Sequence, residues 1–293
     1  MSKRIIPPSE LIINPDGTVF HIHLHPDQLT DRIVLVGDPQ RVDLVASFFD
    51  TRTFEVSARE FHTVGGTYNG KPIMCISHGI GPDNIDIVIT ELDACANVDF
   101  NTREVKDQHR TLQMVRIGTS GALQPELTIG TPVIAEKSIG FDGVLNYYAG
   151  RNSVCDIDFE KHLIKHTDWN PLWANPYIVN ADPDLVNQIG KDDMVRGNTI
   201  SAVGFYGPQG RYVRMPLANP DLNRTIEEFE YKGRRITNYE MESAPLAGLG
   251  ALMGHKAMTV CQIIANRFNN EANPNYKAGM KDLVKVVLDR LTE

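Results

Sequence analysis

Short apolar runs alternate with stretches of helical periodicity along most of the chain. The run 33–36 (IVLV) predicts a buried strand, and the helical pattern that follows it covers 42–49. The runs 61–68 and 72–77 flank an Asn-Gly pair, which predicts a β-hairpin. Further strands are predicted at 114–117, 131–135, 199–203, 235–239 and 257–264, and helices at 82–98, 243–253 and 281–291. Strands that alternate with helices predict an α/β fold with a largely parallel sheet.

Length and composition are those of an ordinary globular protein and favour one domain. The chain has 293 residues, of which 42% are hydrophobic and 23% charged. We predict an extension at 1–18, one folded domain over 19–293, and two insertions or mobile arms, at 99–113, which is mostly polar, and at about 150–176. Residues 1–18 lack the apolar core of a signal peptide, and no apolar run is long enough to span a membrane.

Charge and cysteine usage narrow the possible partners. The net charge of −8 disfavours a nucleic-acid coat, so an anionic substrate needs a local cluster of arginines. The four cysteines are scattered and contain no CxxC pair, which is typical of buried thiols in a reducing compartment. We therefore expect a cytoplasmic protein that binds neither nucleic acid nor membrane.

Glycines and arginines follow the predicted strands, where α/β sheets bind their ligands. Gly37 begins a Gly-Asp-Pro turn with Arg41 one helical turn later, a pattern suited to phosphate. Arg116 lies inside an apolar strand that is expected to stop at Gly-Thr-Ser-Gly, which contains Thr119. A guanidinium in such a strand must meet an anion, and either a bound ligand or a structural salt bridge fits this requirement.

Two further patterns point to a nucleoside. Glu242, in the EMES stretch with Met241, is either part of an ordinary helix N-terminus or an acceptor for a vicinal diol such as that of ribose. In 204–211 (GFYGPQGR), Gln209 and Arg211 offer donors and an acceptor that match the O2, N3–H and O4 edge of uracil. Phe205 provides a ring that can stack on a base.

Taken together, these stretches resemble the nucleoside phosphorylase family and, within it, the uridine phosphorylases. The matching stretches occur in the family's order and span most of the chain: 20–24 (FHIHL), 36–42 (VGDPQRV), 57–61 (SAREF), 114–123 (MVRIGTSGAL), 204–211, 238–244 (NYEMESA) and 265–267 (ANR). The resemblance implies a single α/β domain whose central mixed sheet forms a distorted barrel flanked by helices. It also implies a pentosyltransferase that converts uridine and phosphate reversibly to uracil and ribose 1-phosphate, in nucleoside catabolism and pyrimidine salvage.

The resemblance assigns roles to individual residues. It implies a phosphate site formed by Gly37, Arg41, Arg59, Arg116 and Thr119, a ribose site formed by His21, Met241 and Glu242, and a uracil site formed by Phe205, Gln209 and Arg211. Arg41, Arg116, Glu242 and Arg211 are the implied catalytic groups. His21, which faces the ribose 5′-hydroxyl, and Arg59 enter the neighbouring subunit's site in the family, so a homodimer is the smallest active unit.

No cofactor is expected, and phosphate is a co-substrate. Some members of the family hold a monovalent cation between subunits; here Glu60 and Ile80 match that site but Asn84 replaces a serine, so neither this cation nor another metal is expected. The alternatives are a purine nucleoside phosphorylase, a nucleosidase that uses water, and a nucleoside-binding protein without activity. A purine-specific member with this fold carries an aspartate after the corresponding strand. This chain has Asn266 and Arg267 there instead, which disfavours purine substrates.

Overall fold

Residues 4–293 are described by the structure, a computed structural model, and they form fourteen strands and seven α-helices. The strands are β1 (Arg32–Val36), β2 (Thr51–Ala58), β3 (Phe61–Tyr68), β4 (Lys71–Ser77), β5 (Val98–Asp99), β6 (Glu104–Val105), β7 (Gln113–Ala122), β8 (Pro132–Gly140), β9 (Tyr177–Asn180), β10 (Val195–Ser201), β11 (Glu230–Tyr231), β12 (Arg234–Glu240), β13 (Lys256–Asn266) and β14 (Glu271–Ala272). The helices are α1 (Pro39–Ala46), α2 (Pro82–Asn97), α3 (Ile157–Thr167), α4 (Pro183–Gly190), α5 (Leu222–Glu228), α6 (Ser243–Leu252) and α7 (Lys277–Leu291). Across the described range, every helix is too short or too polar to cross a bilayer.

Five strands close into a mixed barrel, as the resemblance implies. Around the barrel, β12, β10, β8, β13 and β7 follow one another, and β7 pairs again with β12. The closing pairs are antiparallel and join Asn238 to Ala122 and Tyr239 to Gly121. Beyond β7, the same sheet continues through β1, β4, β3 and β2, so the barrel carries an open wing.

Helices cover both faces of the sheet. Successive residues of a strand point to opposite faces, so Ile33 and Leu35 of β1 pack with one cluster and Val34 and Val36 with another. Helices α2 and α6 contribute to the first cluster, whereas α1, α4 and α7 contribute to the second. Because both faces are covered, residues 33–36 of β1 are an uninterrupted apolar run, as buried parallel strands usually are.

Most of the predicted elements are present, but three predicted strands have wrong bounds: β8 extends to Gly140 instead of 135, β10 covers Val195–Ser201 instead of 199–203, and β7 runs past its predicted end. The predicted stop at 118–121 lies inside β7, which extends to Ala122. The reason is tertiary: β13 pairs with β7 along this entire stretch, and β12 closes the barrel at its end. Gly118 is needed for packing, since a Cβ there would lie 2.7 Å from Arg116 Nη1 and 2.8 Å from Cys261 Sγ.

The two predicted insertions contain regular structure, and the first anchors the N-terminal extension. The first forms the short hairpin β5–β6, whose Arg103 donates from Nε to the carbonyl of Ile6 (2.7 Å) and accepts from the Ile6 N–H (2.8 Å). The N-terminal extension is therefore attached to this hairpin. The second insertion contains α3 and is pinned by an ion pair between Arg151 and Glu160 (2.7 Å).

Candidate active site

A cavity of about 730 Å³ opens where β1, β7, β12 and β13 end, which is the edge of the sheet that the sequence marks with glycines and arginines. It is lined by Gly37, Asp38, Pro39, Arg41, Glu60, Gly79, Ile80, Asn84, Arg116, Thr119, Ser120, Gly121, Phe205, Gln209, Arg211, Tyr239, Glu240, Met241, Glu242, Ile264 and Ala265. This volume lies within the range of small-molecule sites. A second cavity of about 770 Å³ lies beside the first and shares Arg211 with it, but its walls are mainly apolar.

All but two of the residues predicted for the site line this cavity. They come from distant parts of the sequence: Gly37 and Arg41, Arg116 and Thr119, Phe205, Gln209 and Arg211, and Met241 and Glu242. The exceptions are His21 and Arg59, which lie outside the cavity wall of their own chain. Within one chain, the fold thus assembles nine of the eleven positions.

Arg41 is a guanidinium of the cavity wall that pairs with a backbone carbonyl and not with an acid. It follows the N-terminus of α1, where Asp38 accepts from the N–H of Gln40 (2.9 Å) and caps the helix. Arg41 Nη1 donates to the carbonyl of Ile117 (3.2 Å). Over residues 4–293, no carboxylate forms an ion pair with Arg41, so its charge remains available to an anion.

Arg116, by contrast, is neutralised by two carboxylates. Its Nη1 lies 2.9 Å from Glu240 Oε2, and its Nη2 donates to Glu242 Oε2. All three side chains are at most 6% exposed. The nearby carboxylates raise the pKa of Arg116 against the opposing effect of burial, which is the larger single influence. The salt bridge that the sequence left open as an alternative is therefore present, and it lies in the wall of the cavity.

The two carboxylates accept hydrogen bonds from different backbone groups. Glu240 accepts from the N–H groups of Glu242 (2.8 Å) and Ser243 (3.0 Å) and thereby caps α6, because the side chain of the N-cap residue Glu242 makes no capping bond. Glu242 accepts from the N–H of Gly81 (2.8 Å) and from Arg116. Burial raises the pKa of Glu242 above its usual range, although Arg116 opposes this shift. Each oxygen of Glu242 retains a second acceptor site for a ligand hydroxyl.

A buried histidine also supports the guanidinium. His78 Nε2 accepts from Arg116 Nε (3.2 Å), and burial, reinforced by the charge of Arg116, holds the pKa of His78 well below its usual range. The ring is therefore neutral at physiological pH, as an acceptor for a guanidinium must be. No sequence motif identifies His78 as a site residue. The one feature of the sequence that could have indicated it is its position directly after β4.

Two arginines meet at the other end of the cavity: Arg211 lines it, and Arg267, whose charge also interacts with that of Glu227, lies beside Arg211. Gln209 Oε1 accepts from Arg211 Nη1 (2.6 Å) and from Arg267 Nη2 (3.2 Å). The carbon at the centre of the Arg211 guanidinium lies 3.7 Å from the ring centroid of Phe205, so the ring predicted to stack on a base is covered by Arg211 here. Burial and the charge of Arg267 lower the pKa of Arg211 to about 10. Two guanidiniums held together in this way favour a ligand that carries or develops negative charge.

Arg267 and Tyr239 were not predicted as site residues. Arg267 lies 5.1 Å above the ring of Tyr239, which forms part of the cavity wall. The signal for Arg267 was available, because it directly follows a predicted strand as other site residues do. No local sequence pattern distinguishes Tyr239 from any other residue of the predicted strand 235–239.

His21 and Arg59 belong to one surface cluster, joined by Phe20. The rings of Phe20 and His21 are 4.8 Å apart, and the Arg59 guanidinium lies 5.7 Å from the Phe20 ring. Arg59 has a φ of 55°, which bulky residues rarely adopt, in the turn between β2 and β3. A strained turn that exposes a cation is a common feature of functional sites.

The three residues that correspond to the cation site of some family members also lie at the cavity. Glu60, Ile80 and Asn84 all line it, and Asn84 Nδ2 donates to the carbonyl of Ile80 (3.3 Å). The expectation that no cation binds remains a prediction.

A separate cluster of Asp93, His109 and His255 is explained by hydrogen bonds. His255 Nδ1 accepts from the N–H of Leu112 (3.2 Å), so the neutral ring carries its hydrogen on Nε2, which faces Asp93 Oδ1 at 3.1 Å. A nitrogen that carries hydrogen has no lone pair for a metal ion. These residues do not fit a transition-metal site.

Comparisons with known proteins agree with this geometry. The family model of the phosphorylase superfamily matches residues 31–291. A uridine phosphorylase of Thermococcus kodakarensis is 30% identical over 92% of this chain and 84% of its own length, and one of Escherichia coli is 29% identical over 92% and 96%. A crystal structure of a Trypanosoma brucei nucleoside phosphorylase that shows uridine phosphorylase activity superimposes with a TM-score of 0.87 at 26% identity, covering 96% of this chain and 99% of that one. The chain is therefore an enzyme of the phosphorylase superfamily.

Proposed function

We propose that the chain catalyses the reversible phosphorolysis of uridine to uracil and ribose 1-phosphate. The observation that carries this proposal is the Gln209 network, in which one amide and two guanidiniums are joined by hydrogen bonds and Gln209 and Arg211 line one end of the cavity. Uracil offers two carbonyl oxygens and an N–H on one edge and leaves as an anion, so this network suits both its shape and its charge. The relatives named for uridine support the same substrate.

The geometry supports a mechanism without a covalent enzyme intermediate. The C1′–N1 bond breaks while positive charge develops on the ribose and negative charge on the base. Arg211 and Arg267 stabilise the leaving uracil, and Glu242 accepts hydrogen bonds from the ribose hydroxyls, with Met241 beside it. Phosphate, held near Arg41, Gly37 and Thr119, approaches C1′ from the other face. Positioning of two substrates and fixed charges supply the rate enhancement.

Arg41 and Arg116 have unequal roles in this mechanism. The charge of Arg116 is already matched by two carboxylates, whereas that of Arg41 is not. Arg41, together with the partner's copy of Arg59, therefore supplies the attraction for phosphate. Arg116 favours the ionised form of Glu242, orients it and offers its donors at the boundary between phosphate and ribose.

We expect uridine cleavage to require phosphate or arsenate, and Arg41→Ala to raise the KM for phosphate by about ten- to a hundredfold, because a charge-assisted contact is lost. Initial rates of uracil release at varied phosphate would measure this effect. Arg52→Ala is the matched control, since Arg52 lies beside the same helix but donates to the Ala46 carbonyl outside the cavity.

Equal turnover in phosphate-free buffer would refute phosphorolysis and favour a nucleosidase. Stoichiometric nucleoside binding without any cleavage would instead indicate a binding protein. A KM for phosphate that changes equally in the Arg41 and Arg52 variants would show that Arg41 has no special part.

The proposal includes a homodimer with shared active sites, because His21 and Arg59 lie outside their own cavity on one surface cluster. Mixing inactive Arg59→Ala and Arg211→Ala chains should restore activity, since each hybrid dimer contains one site with both residues intact. Equal mixing with free exchange should approach about a quarter of the wild-type rate. Mixing two preparations of the same variant is the control, and no rescue after proven exchange would show that each site is built within one chain.

The proposed setting is the cytoplasm, in nucleoside catabolism and pyrimidine salvage, with phosphate as co-substrate and no cofactor. All four cysteines are unpaired, and Cys75, Cys95 and Cys261 are buried. Burial raises the pKa of Cys95 to about 12, so this thiol is unreactive. Unpaired, inert thiols are typical of a reducing compartment.

A further inference from the structure

Glu91 is a buried carboxylate of α2 that binds the segment around His21 instead of a lysine or arginine. Its oxygens accept from the N–H groups of His21 (3.0 Å) and Ile22 (2.9 Å), and its Oε1 lies 2.6 Å from His21 Nδ1. The Glu91 side chain is 10% exposed, and within residues 4–293 its one ion-pair contact is with His21. Three hydrogen bonds from neighbouring groups thus hold both the backbone and the ring of His21.

This arrangement sets the tautomer of the ring. An ionised carboxylate only accepts hydrogen bonds, so the neutral His21 ring carries its hydrogen on Nδ1. Its Nε2 then bears a lone pair and makes no hydrogen bond within the described part of the chain. The His21 side chain remains 29% exposed, so Nε2 is accessible on the surface cluster with Phe20 and Arg59.

We infer that Glu91 is a positioning residue for the reaction: it fixes His21 so that Nε2 accepts a hydrogen bond from the 5′-hydroxyl of the nucleoside in the partner's cavity. This inference rests on the proposed function, because it needs His21 to reach a neighbouring site. Glu91 itself touches no substrate. It acts by removing the alternative tautomer and the rotational freedom of the ring before the nucleoside arrives, as carboxylates do for metal-binding histidines.

Glu91→Gln is the informative variant, because the amide keeps the shape and an acceptor for the backbone but also offers an N–H₂ group. That group can donate to Nδ1 and shift the hydrogen to Nε2, so the tautomer is no longer fixed. Asp93→Asn is the matched control: it makes the same chemical change on the same helix at a carboxylate that faces His255. His21→Ala removes the ring altogether.

The measurement is kcat/KM for uridine and for 5′-deoxyuridine, which lacks the hydroxyl in question. The wild type should prefer uridine, and Glu91→Gln and His21→Ala should each lower this preference about tenfold, the effect of one hydrogen bond. Activity on 5′-deoxyuridine should change little in Glu91→Gln, and Asp93→Asn should keep the wild-type preference. The double variant should match His21→Ala alone, because Glu91 acts through His21.

Several results would overturn the inference. An equal loss on both nucleosides in Glu91→Gln would show a merely structural role, and an unchanged preference would show no role in positioning. A wild type that cleaves both nucleosides equally, with phosphate dependence intact, would refute the 5′-hydroxyl contact while leaving phosphorolysis standing.

The tautomer gives a readout that is independent of any substrate. Nitrogen NMR of the substrate-free protein, with the His21 signal assigned by its loss in His21→Ala, should show the hydrogen on Nδ1 when the ring is neutral. In Glu91→Gln the hydrogen should be distributed over both nitrogens. A wild-type ring with its hydrogen on Nε2 would overturn the inference even if uridine proved not to be the substrate.

Discussion

Uridine should be cleaved about 10⁴ times more efficiently than cytidine, because the pocket pairs polar groups with one edge of the base. Cytidine presents an amine where uracil has O4 and an unprotonated N3 where uracil has N–H. Arg211 would then face a donor, and Gln209 would lose its match to N3–H. Inosine should also fail, since no carboxylate lies between Ile263 and Arg267 to assist a purine leaving group.

The base preference is measured as kcat/KM with saturating phosphate for each nucleoside. Gln209→Ala should lower the value for uridine by about 10²-fold or more and leave that for cytidine nearly unchanged, which narrows the gap. Gln209→Glu keeps an acceptor but loses the amide donor, so it should recover only part of the preference. Comparable rates on inosine and uridine would refute the assignment of this loop to uracil.

Arg116→Ala should reduce the free energy of unfolding by about 3–5 kcal/mol, because it leaves two carboxylates buried without their cation. The Glu240 and Glu242 side chains are at most 6% exposed, so water cannot replace the guanidinium fully. Urea unfolding or calorimetry would measure the loss. A variant as stable as the wild type would show that the three groups are solvated or that the carboxyls take up protons at little cost.

Glu242→Gln changes another member of the same buried group, and we expect that it does not lower the free energy of unfolding. Burial raises the pKa of Glu242, so the folded chain binds that proton more tightly than the unfolded chain and ionised Glu242 costs folding free energy. Its contribution to stability is present below the ordinary carboxyl pKa and is lost as pH rises through the raised pKa. The amide avoids this cost, still accepts from Gly81 and leaves Arg116 paired with Glu240. We therefore expect unchanged or higher stability at neutral pH, with kcat/KM for uridine reduced about 10²-fold or more.

Much of the site could be predicted because its signals are local. Gly37 and Arg41 stand on a strand–turn–helix junction that periodicity identifies, and Gln209 and Arg211 lie two residues apart in a glycine-proline loop. Such residues are recognised by their own neighbours in sequence. The family resemblance then assigned them roles, and in the fold they line one cavity.

The supporting residues could not be found in this way, because their partners are far away in sequence. Glu91 meets His21 across 70 positions, and Arg116 meets Glu242 across 126. His78 accepts from Arg116, which lies 38 positions away in sequence. No short window of sequence contains both members of any of these pairs.

The sequence by itself determined the α/β class, the apolar strands, the hairpin and the family, since each of these depends on periodicity or on residues within a few positions of one another. Tertiary structure alone decided that β7 continues through Gly118, because the pairing strands β12 and β13 come from the far end of the chain. The tertiary structure also decided which arginine charges remain available to a bound anion. Arg116 is matched by carboxylates that only barrel closure brings near, whereas Arg41 is not, and a charge balance of this kind depends on distances in space that spacing along the chain does not encode.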